Sequence, residues 1–237
     1  MTTSVLSLVQ SFCRKRGLPA PNSLLGSRDS QVIQITELLR YVVEELVRDY
    51  RWEAAVYEAT FVTVTGSSQG NIETLAPNGF ISVVNQTIYN RTRRLPLYGP
   101  MTEQQWQRLL ALPNPGPFYK YRIQGNLLKF LPSATAGETC AFEYTSSFVY
   151  VDVNGLNPHG DITADGDQVL LDPHILKLGL EARWLEAVGM DWMTKYQEFR
   201  AAASTAKSKD ASKPVVNLNG ETKNLQPGIF VPAGSWF

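Results

Sequence analysis

The densest run of potential ligand side chains is Asp161-Ile162-Thr163-Ala164-Asp165-Gly166-Asp167, followed by Asp172. Its spacing matches positions 1, 3, 5, 6, 7 and 12 of a calcium-binding EF-hand loop, in which carboxylates wrap an oxygen-preferring cation and a glycine permits the sharp turn. The match is incomplete. Position 3 is Thr163, position 8 is Gln168 rather than an aliphatic residue, and Asp172 is shorter than the bidentate glutamate of position 12. Pro158 and Gly160 oppose the helix that should precede the loop. Asp172 also stands directly before Pro173, the pattern of an N-cap followed by proline in the first helical turn. A polar turn accounts for the run. A cation held by Asp161, Asp165, Asp167 and Asp172 is the alternative.

Other chemistry is sparse. The sequence has no GxSxG elbow, no GxxxxGK[ST] loop, no HExxH and no CxxC. Its two histidines, His159 and His174, lie near aspartates but in a Gly/Pro loop and a first helical turn, positions where surface roles are ordinary. Cys13 and Cys140 fall on an apolar helix face and in a strand pattern, which reads as packing. Arg91, Arg93 and Arg94 fall at strand ends, within reach of phosphates or of solvent. No nucleophile–base pair is visible, so the expectation is a non-enzyme without cofactors, with a β-rich ligand- or calcium-binding module or a hydrolase as the alternatives.

Composition narrows the classes further. The 237 residues carry 22 Lys plus Arg and 22 Asp plus Glu, so bulk charge gives no long-range attraction for nucleic acid. With 43% apolar and 19% charged residues the chain is globular in character, sized for one to two domains. Two cysteines exclude a disulfide scaffold. No apolar run approaches the ~20 residues of a membrane span. In the first residues, MTTSVLSLVQSFCRKRG, the basic cluster follows the apolar stretch, the reverse of a signal peptide, and folding in the cytosol is expected.

The elements that must position these residues are clearest at the two ends. Val5, Leu8, Val9 and Phe12 predict a helix over residues 5–16, stopped by Gly17 and Pro19. Val32, Ile35, Leu39, Val42 and Leu46 predict a longer one over residues 29–49, with a seam for another helix. From residue 54 to about 150 the reading is mostly β: 54–65, 86–90, 93–98, 118–124, 127–131 and 139–148, with a hairpin turn at Gln124-Gly125-Asn126. One helix interrupts, begun by the capping box at Thr102–Gln105 and stopped by Pro113-Asn114-Pro115-Gly116-Pro117. Residues 152–171 are an Asp/Asn/Gly-rich loop.

A second helical block starts at Asp172-Pro173 and runs to Val188 and Gly189. Ile175, Leu176, Leu180, Trp184 and Leu185 leave little polar surface on it, so it is expected to be buried on several sides. A last helix, capped by Asp191 and reaching about Lys209, carries Trp192, Tyr196, Phe199 and Ala203 along one face. Residues 214–237 lack periodicity but hold Ile229, Phe230, Val231, Trp236 and Phe237, too many large apolar groups for a solvated tail. They read as an extended arm that orders on another surface, with folding back onto its own domain as the alternative.

A family resemblance emerges from these segments. The stretch TEQQWQRLLA from Thr102, then GPFYKYRIQGN from Gly116, Leu131-Pro132, Phe142-Glu143-Tyr144, the block LDPHILKLGLEARW from Leu171, and Gly189-Met190-Asp191 before a charged helix resemble the head-to-tail connector (adaptor) proteins of tailed bacteriophages, nearest the podovirus tail tubular protein A type. The resemblance spans roughly residues 1–212. It implies a homo-oligomeric ring, commonly a dodecamer, seated in the neck of the virion after assembly in the host cytoplasm. Its helical part would meet the portal protein and its β part the tail tube or nozzle. Double-stranded DNA would pass through the lumen with non-specific contacts, and no membrane is involved. It carries no catalytic residues.

The expected fold class is therefore α+β: a helical bundle built from both chain ends (1–52 and 170–212), a β-rich inserted domain (53–169) and an extended C-terminal arm (213–237). The residues expected at portal or subunit contacts are Leu176, Leu180, Trp184, Trp192, Tyr196, Phe199, Lys207 and Lys209, with Ile229, Phe230, Val231, Trp236 and Phe237 of the arm.

Overall fold

A computed structural model describes residues 3–111, 116 and 118–210. Pro113, Asn114, Pro115 and Pro117 of the expected helix stop, and the arm residues Ile229, Phe230, Val231, Trp236 and Phe237, lie outside the described residues. The fold is mixed α+β, with six α-helices and antiparallel sheets among the described residues.

The first two helices begin and end where their caps dictate. α1 (Val5–Arg16) starts at Ser4, whose hydroxyl accepts from the Ser7 amide, and stops at Gly17 in the left-handed region (φ 71°). α2 (Ser30–Asp49) is capped by Asp29, whose carboxylate accepts from the Gln31 amide. The chain then turns through a short 3-10 turn at Glu53–Ala55 into the β-rich stretch.

There β1 (Val56–Val62) is followed by β2 (Gly66–Asn71), the one-turn α3 (Ile72–Leu75), β3 (Phe80–Val83), β4 (Tyr89–Asn90), β5 (Leu95–Pro96), α4 (Glu103–Leu110), β6 (Lys120–Gln124), β7 (Leu127–Ala134) and β8 (Thr139–Ser146). β8 organises one sheet. It pairs with β1 along its length, from Val56 opposite Thr145 to Val62 opposite Thr139, and also pairs with β3 and β4. A second sheet, β2-β7-β6, contains the expected hairpin, whose turn residues Gly125 and Asn126 both take positive φ (58° and 61°). Phe61, Tyr121, Leu128, Phe130, Phe142 and Tyr144 fill a largely aromatic core in this stretch.

Three β expectations need correction. The strands expected at 86–90 and 93–98 shrink to two residues each, because Gln86 (φ 64°) and Arg94 (φ 58°) break the extended backbone. Gly66-Ser67-Ser68, directly after the expected 54–65 strand, opens a further strand held by β7 across a bulged register. Phe80–Val83 is a strand that alternation does not announce.

After β8 come the two-residue strands β9 (Tyr150–Val151), β10 (Pro158–His159) and β11 (Gln168–Val169), which form a small sheet with β9 in the middle. Then follow α5 (Pro173–Val188), capped by Asp172 and ended by Gly189 (φ 76°), and α6 (Met193–Asp210). α1, α2, α5 and α6 contribute to one continuous apolar core. At its centre α5 approaches α2 and α6 through Gly179. A Cβ built there would sit 2.6 Å from Val42 and 2.9 Å from Phe199, so no larger residue fits without movement.

Side chains from 149–171, on both sides of the expected boundary at residue 169, join this helical core. Val149, Tyr150, Ile162, Val169 and Leu171 are buried among the helices. The Val5 amide donates to the Asp167 carbonyl at 2.7 Å, fixing the start of α1 on this segment. The long polar loop conceals three of these apolar anchors, Ile162, Val169 and Leu171, and composition averages them away.

Candidate assembly interface

The residues expected at portal or subunit contacts divide into two groups. Leu176, Leu180 and Phe199 are 0–1% exposed and face the chain's own core, which corrects their assignment to an interface. The physical reason is that α5 is apolar nearly all round because α1, α2, α6 and the 149–171 segment all pack against it. One chain is enough to cover it. Trp184 is half-buried, edge-on to Phe12 with ring centroids 5.8 Å apart. Lys207 pairs with Asp49 and lies 5.8 Å from the Tyr50 ring, so its charge is engaged within the chain. Lys209 is exposed.

Trp192 and Tyr196 belong to a different environment, the turn between α5 and α6. The helix ends that form this turn expose Val188 (53%), Met190 (58%) and Met193 (50%). Trp192 is half-buried and edge-on to Tyr196 at 5.6 Å. The guanidinium of Arg183 lies 5.3 Å from the Tyr196 ring and 4.9 Å from Tyr41, itself 53% exposed on α2. Arg183 is also held by Glu45 and Glu186, each at 2.8 Å. Burial works against its charge, but these two carboxylates outweigh burial and hold its pKa above the ordinary value. The result is a surface of flexible thioethers and aromatic rings ordered by one fixed arginine, the residue types enriched at protein contacts. Tyr41, Val188, Met190 and Met193 are absent from the expected interface set. For Val188, Met190 and Met193 the available signal was their placement beside Gly189, since residues at a tight helix–helix turn have little chain around them to cover them; for Tyr41 on α2 the sequence held no such signal.

The four aspartates considered as cation ligands do not converge on a common point. Asp161 pairs with Arg40 at 2.8 Å and caps the Ile162 amide at 2.7 Å. Asp165 accepts from the Leu24 and Leu25 amides, tying the 17–28 loop down. Asp167 is buried and its Oδ2 accepts from the Thr163 and Ala164 amides and from the Thr163 hydroxyl, at 2.7–2.9 Å. Asp172 is the N-cap of α5, accepting from the His174 amide at 2.8 Å. Among the described residues no group of three or more His, Cys, Asp or Glu is arranged to hold a metal ion. Each of the four carboxylates is engaged by its own partners, Asp167 and Asp172 by nearby amides, Asp165 by the 17–28 loop and Asp161 by Arg40 as well as the Ile162 amide.

His159 also has a structural place. Its Nε2 lies 3.0 Å from Asp167 Oδ2, its Nδ1 lies 2.9 Å from the Asn157 carbonyl, and its ring stacks on Tyr150. Cys13 and Cys140 are buried, and burial raises both thiol pKa values, that of Cys140 to about 12. Arg91 pairs with Glu58 at 2.8 Å and Arg93 with Glu138, so two of the three arginines near phosphate reach are committed to carboxylates. No described helix is long and apolar enough to cross a membrane. No protein-family model matches the chain, and no curated protein matches it significantly.

Proposed function

We propose that the chain is a structural virion protein, a head-to-tail adaptor that forms a ring between portal and tail and lets DNA pass through its lumen. The observation that carries this reading is the exposed α5–α6 turn, with Val188, Met190 and Met193 open beside Trp192. The apolar interior of the helices is already closed, so the groups left open at one end are the ones free to meet a partner. In this reading the bundle from both chain ends docks on the portal, and the β-rich part faces the tail tube or nozzle. The C-terminal arm from residue 213 orders on a protein surface. Localisation is the neck of the virion. The sequence resemblance to connector proteins supports the same assignment, and the family's usual copy number makes a dodecamer the expected ring.

The test is the native mass of the full chain mixed with its portal protein. A complex carrying multiple copies of this chain per portal ring is expected. Met190→Asp combined with Met193→Asp is expected to abolish it while leaving the far-ultraviolet circular dichroism unchanged. A chain that neither forms rings nor associates with portal overturns the reading.

A further inference from the structure

Between α2 and β3 runs a groove that the described residues leave open. Its wider part, about 740 Å³, has Arg40, Val43 and Val47 on the α2 side and Ile81, Val149 and Tyr150 opposite. Val43, Val149 and Tyr150 are buried, and the Tyr150 hydroxyl has no hydrogen-bond partner among the described residues. Its narrower part, about 400 Å³, continues past Val47 to Asp49, Tyr50 and Arg51 on one side and the consecutive residues 81–85 on the other. Consecutive residues point to both faces of a strand, so β3 borders this end of the groove with its edge. β3 pairs with β8 only, and no other strand lies beside it among the described residues. An unpaired edge next to a trough with an apolar floor of Val43, Val47 and Ile81 and a charged rim of Glu44, Arg48 and Arg51 is a template for one more strand.

The described chain ends at the mouth of this groove. The Asp210 carboxylate accepts from the Glu53 amide at 2.8 Å, and the Lys207 carbonyl accepts from the Tyr50 hydroxyl at 3.2 Å. Beyond Asp210 the longest unbroken run of large strand-forming residues is Ile229-Phe230-Val231, which follows Gly228 and is bracketed by Pro227 and Pro232. With Gly228 the segment is four residues long, as β3 is. The intervening residues can span roughly 60 Å when extended, far more than the distance from α6 to a groove it already touches. A tether of this kind presents the segment at roughly millimolar effective concentration.

We propose that residues 228–231 add to the free edge of β3 in their own chain and seat alternate side chains in the groove between α2 and β3. Strand alternation sends Ile229 and Val231 to one side and Phe230 to the other, so one set falls over Val43, Val47 and Ile81. This inference departs from the expected portal or subunit contacts of Ile229, Phe230 and Val231 and does not depend on ring formation. Its test uses the isolated full chain without portal, so it fails or succeeds independently of ring formation.

Two measurements decide it. First, amide hydrogen exchange at Ile81–Val83 is compared between the wild-type full chain and the full-length variant carrying Ile229→Asp, Phe230→Asp and Val231→Asp; exchange about tenfold faster in the variant is expected. An unchanged rate overturns the proposal. Second, Ser82→Cys is combined in turn with Ile229→Cys, Phe230→Cys or Val231→Cys and oxidised at low protein concentration. A disulfide within one chain is expected for at least one pair. No disulfide overturns strand addition, and a disulfide found only between two chains overturns the assignment to the chain's own arm in favour of a second copy.

Discussion

The helical and β-rich parts of this molecule solve the same problem, a buried carboxylate, in different ways. In the helical part Glu181 on α5 is 5% exposed and meets Lys15 at 2.6 Å and Arg16 at 2.7 Å, both from the end of α1. Its partners are long, partly solvated side chains that join the two ends of the sequence. In the β-rich part Glu138 is 7% exposed and lies in a polar knot: Asn90 Nδ2 donates at 2.6 Å and Arg93 Nε at 2.7 Å, while its own amide donates to the Thr63 hydroxyl at 3.0 Å. Arg93 in turn lies 4.7 Å from the Tyr119 ring. One region holds its charge with adaptable cations at the rim of an aliphatic core. The other builds a fixed network against aromatic rings. The first arrangement tolerates displacement, and the second specifies one geometry.

The largest expected effects test whether the two regions are separate. Phe199 and Phe130 are fully buried, one in each core. Each substitution to alanine is expected to cost about 3–5 kcal/mol, from lost transfer energy and the cavity left behind. Native-state hydrogen exchange distinguishes the outcomes. Phe199→Ala is expected to lower amide protection in α5 and leave β8 as it was, and Phe130→Ala to do the reverse. A matched loss in both regions from either variant means that the two cores open as one unit and that the distinction drawn here is only chemical.

The buried carboxylates come next. Glu138→Ala strands the buried Asn90 amide and unpairs Arg93, whose side chain is 38% exposed, and about 2 kcal/mol is the expected loss, carried by Asn90. Glu181→Ala releases Lys15 and Arg16 to solvent they already partly reach, so about 1 kcal/mol is expected. Equal losses in chemical denaturation remove the contrast between a fixed network and an adaptable one.

The same division governs what was legible in the sequence. The helices of eight residues or more are readable to within a residue or two because their signals are local: Asp172 as a cap, Gly17 and Gly189 as stops, and an apolar period that needs no knowledge of the partner, whereas the one-turn α3 carries no such signal. β2 is not readable, because Gly66–Asn71 has no strand-forming side chains and is extended only where β7 pairs with it. Its Gln69 is buried with its amide bonded to the Val64 and Gly66 carbonyls, a tertiary solution to a locally poor sequence. The candidate interface misled for a related reason. Apolar character says that a residue must be covered, not by what. Leu176 and Leu180 find cover within the chain, while Met190 and Met193, less conspicuous in the pattern, do not.

Acid separates the regions by a third route. Asp167 holds the segment that anchors α1. Burial pushes its carboxyl pKa up, but hydrogen bonds from Ala164, Thr163 and His159 outweigh burial and hold it below the ordinary 3.8. Asp165, which fixes the 17–28 loop, is lowered in the same sense: burial raises it, and Ser23 and the Leu24 and Leu25 amides more than compensate. A depressed carboxylate contributes stability that is present above its unfolded value and disappears as pH falls through the folded one. The helical part is therefore expected to lose α1 protection below about pH 4, before β8 does, by less than either aromatic truncation removes. Asp167→Asn is expected to flatten this acid limb. Simultaneous acid loss of α1 and β8 protection breaks the comparison.

The smallest expected effect on stability carries the most about assembly. Val188, Met190 and Met193 touch solvent more than protein, so Met190→Ser combined with Met193→Ser is expected to shift the unfolding free energy by no more than about 0.5 kcal/mol. Truncation of a core residue of similar size costs several times that amount. Such a variant separates folding from association, as no change at Leu176 or Leu180 can, because those positions fail in both. If the turn is the contact surface, portal association measured by native mass is lost while denaturation midpoint and β-core exchange stay put. If stability falls by more than 2 kcal/mol, the methionines are packing residues of this chain, and the open end of the helical part is closed by its own neighbours.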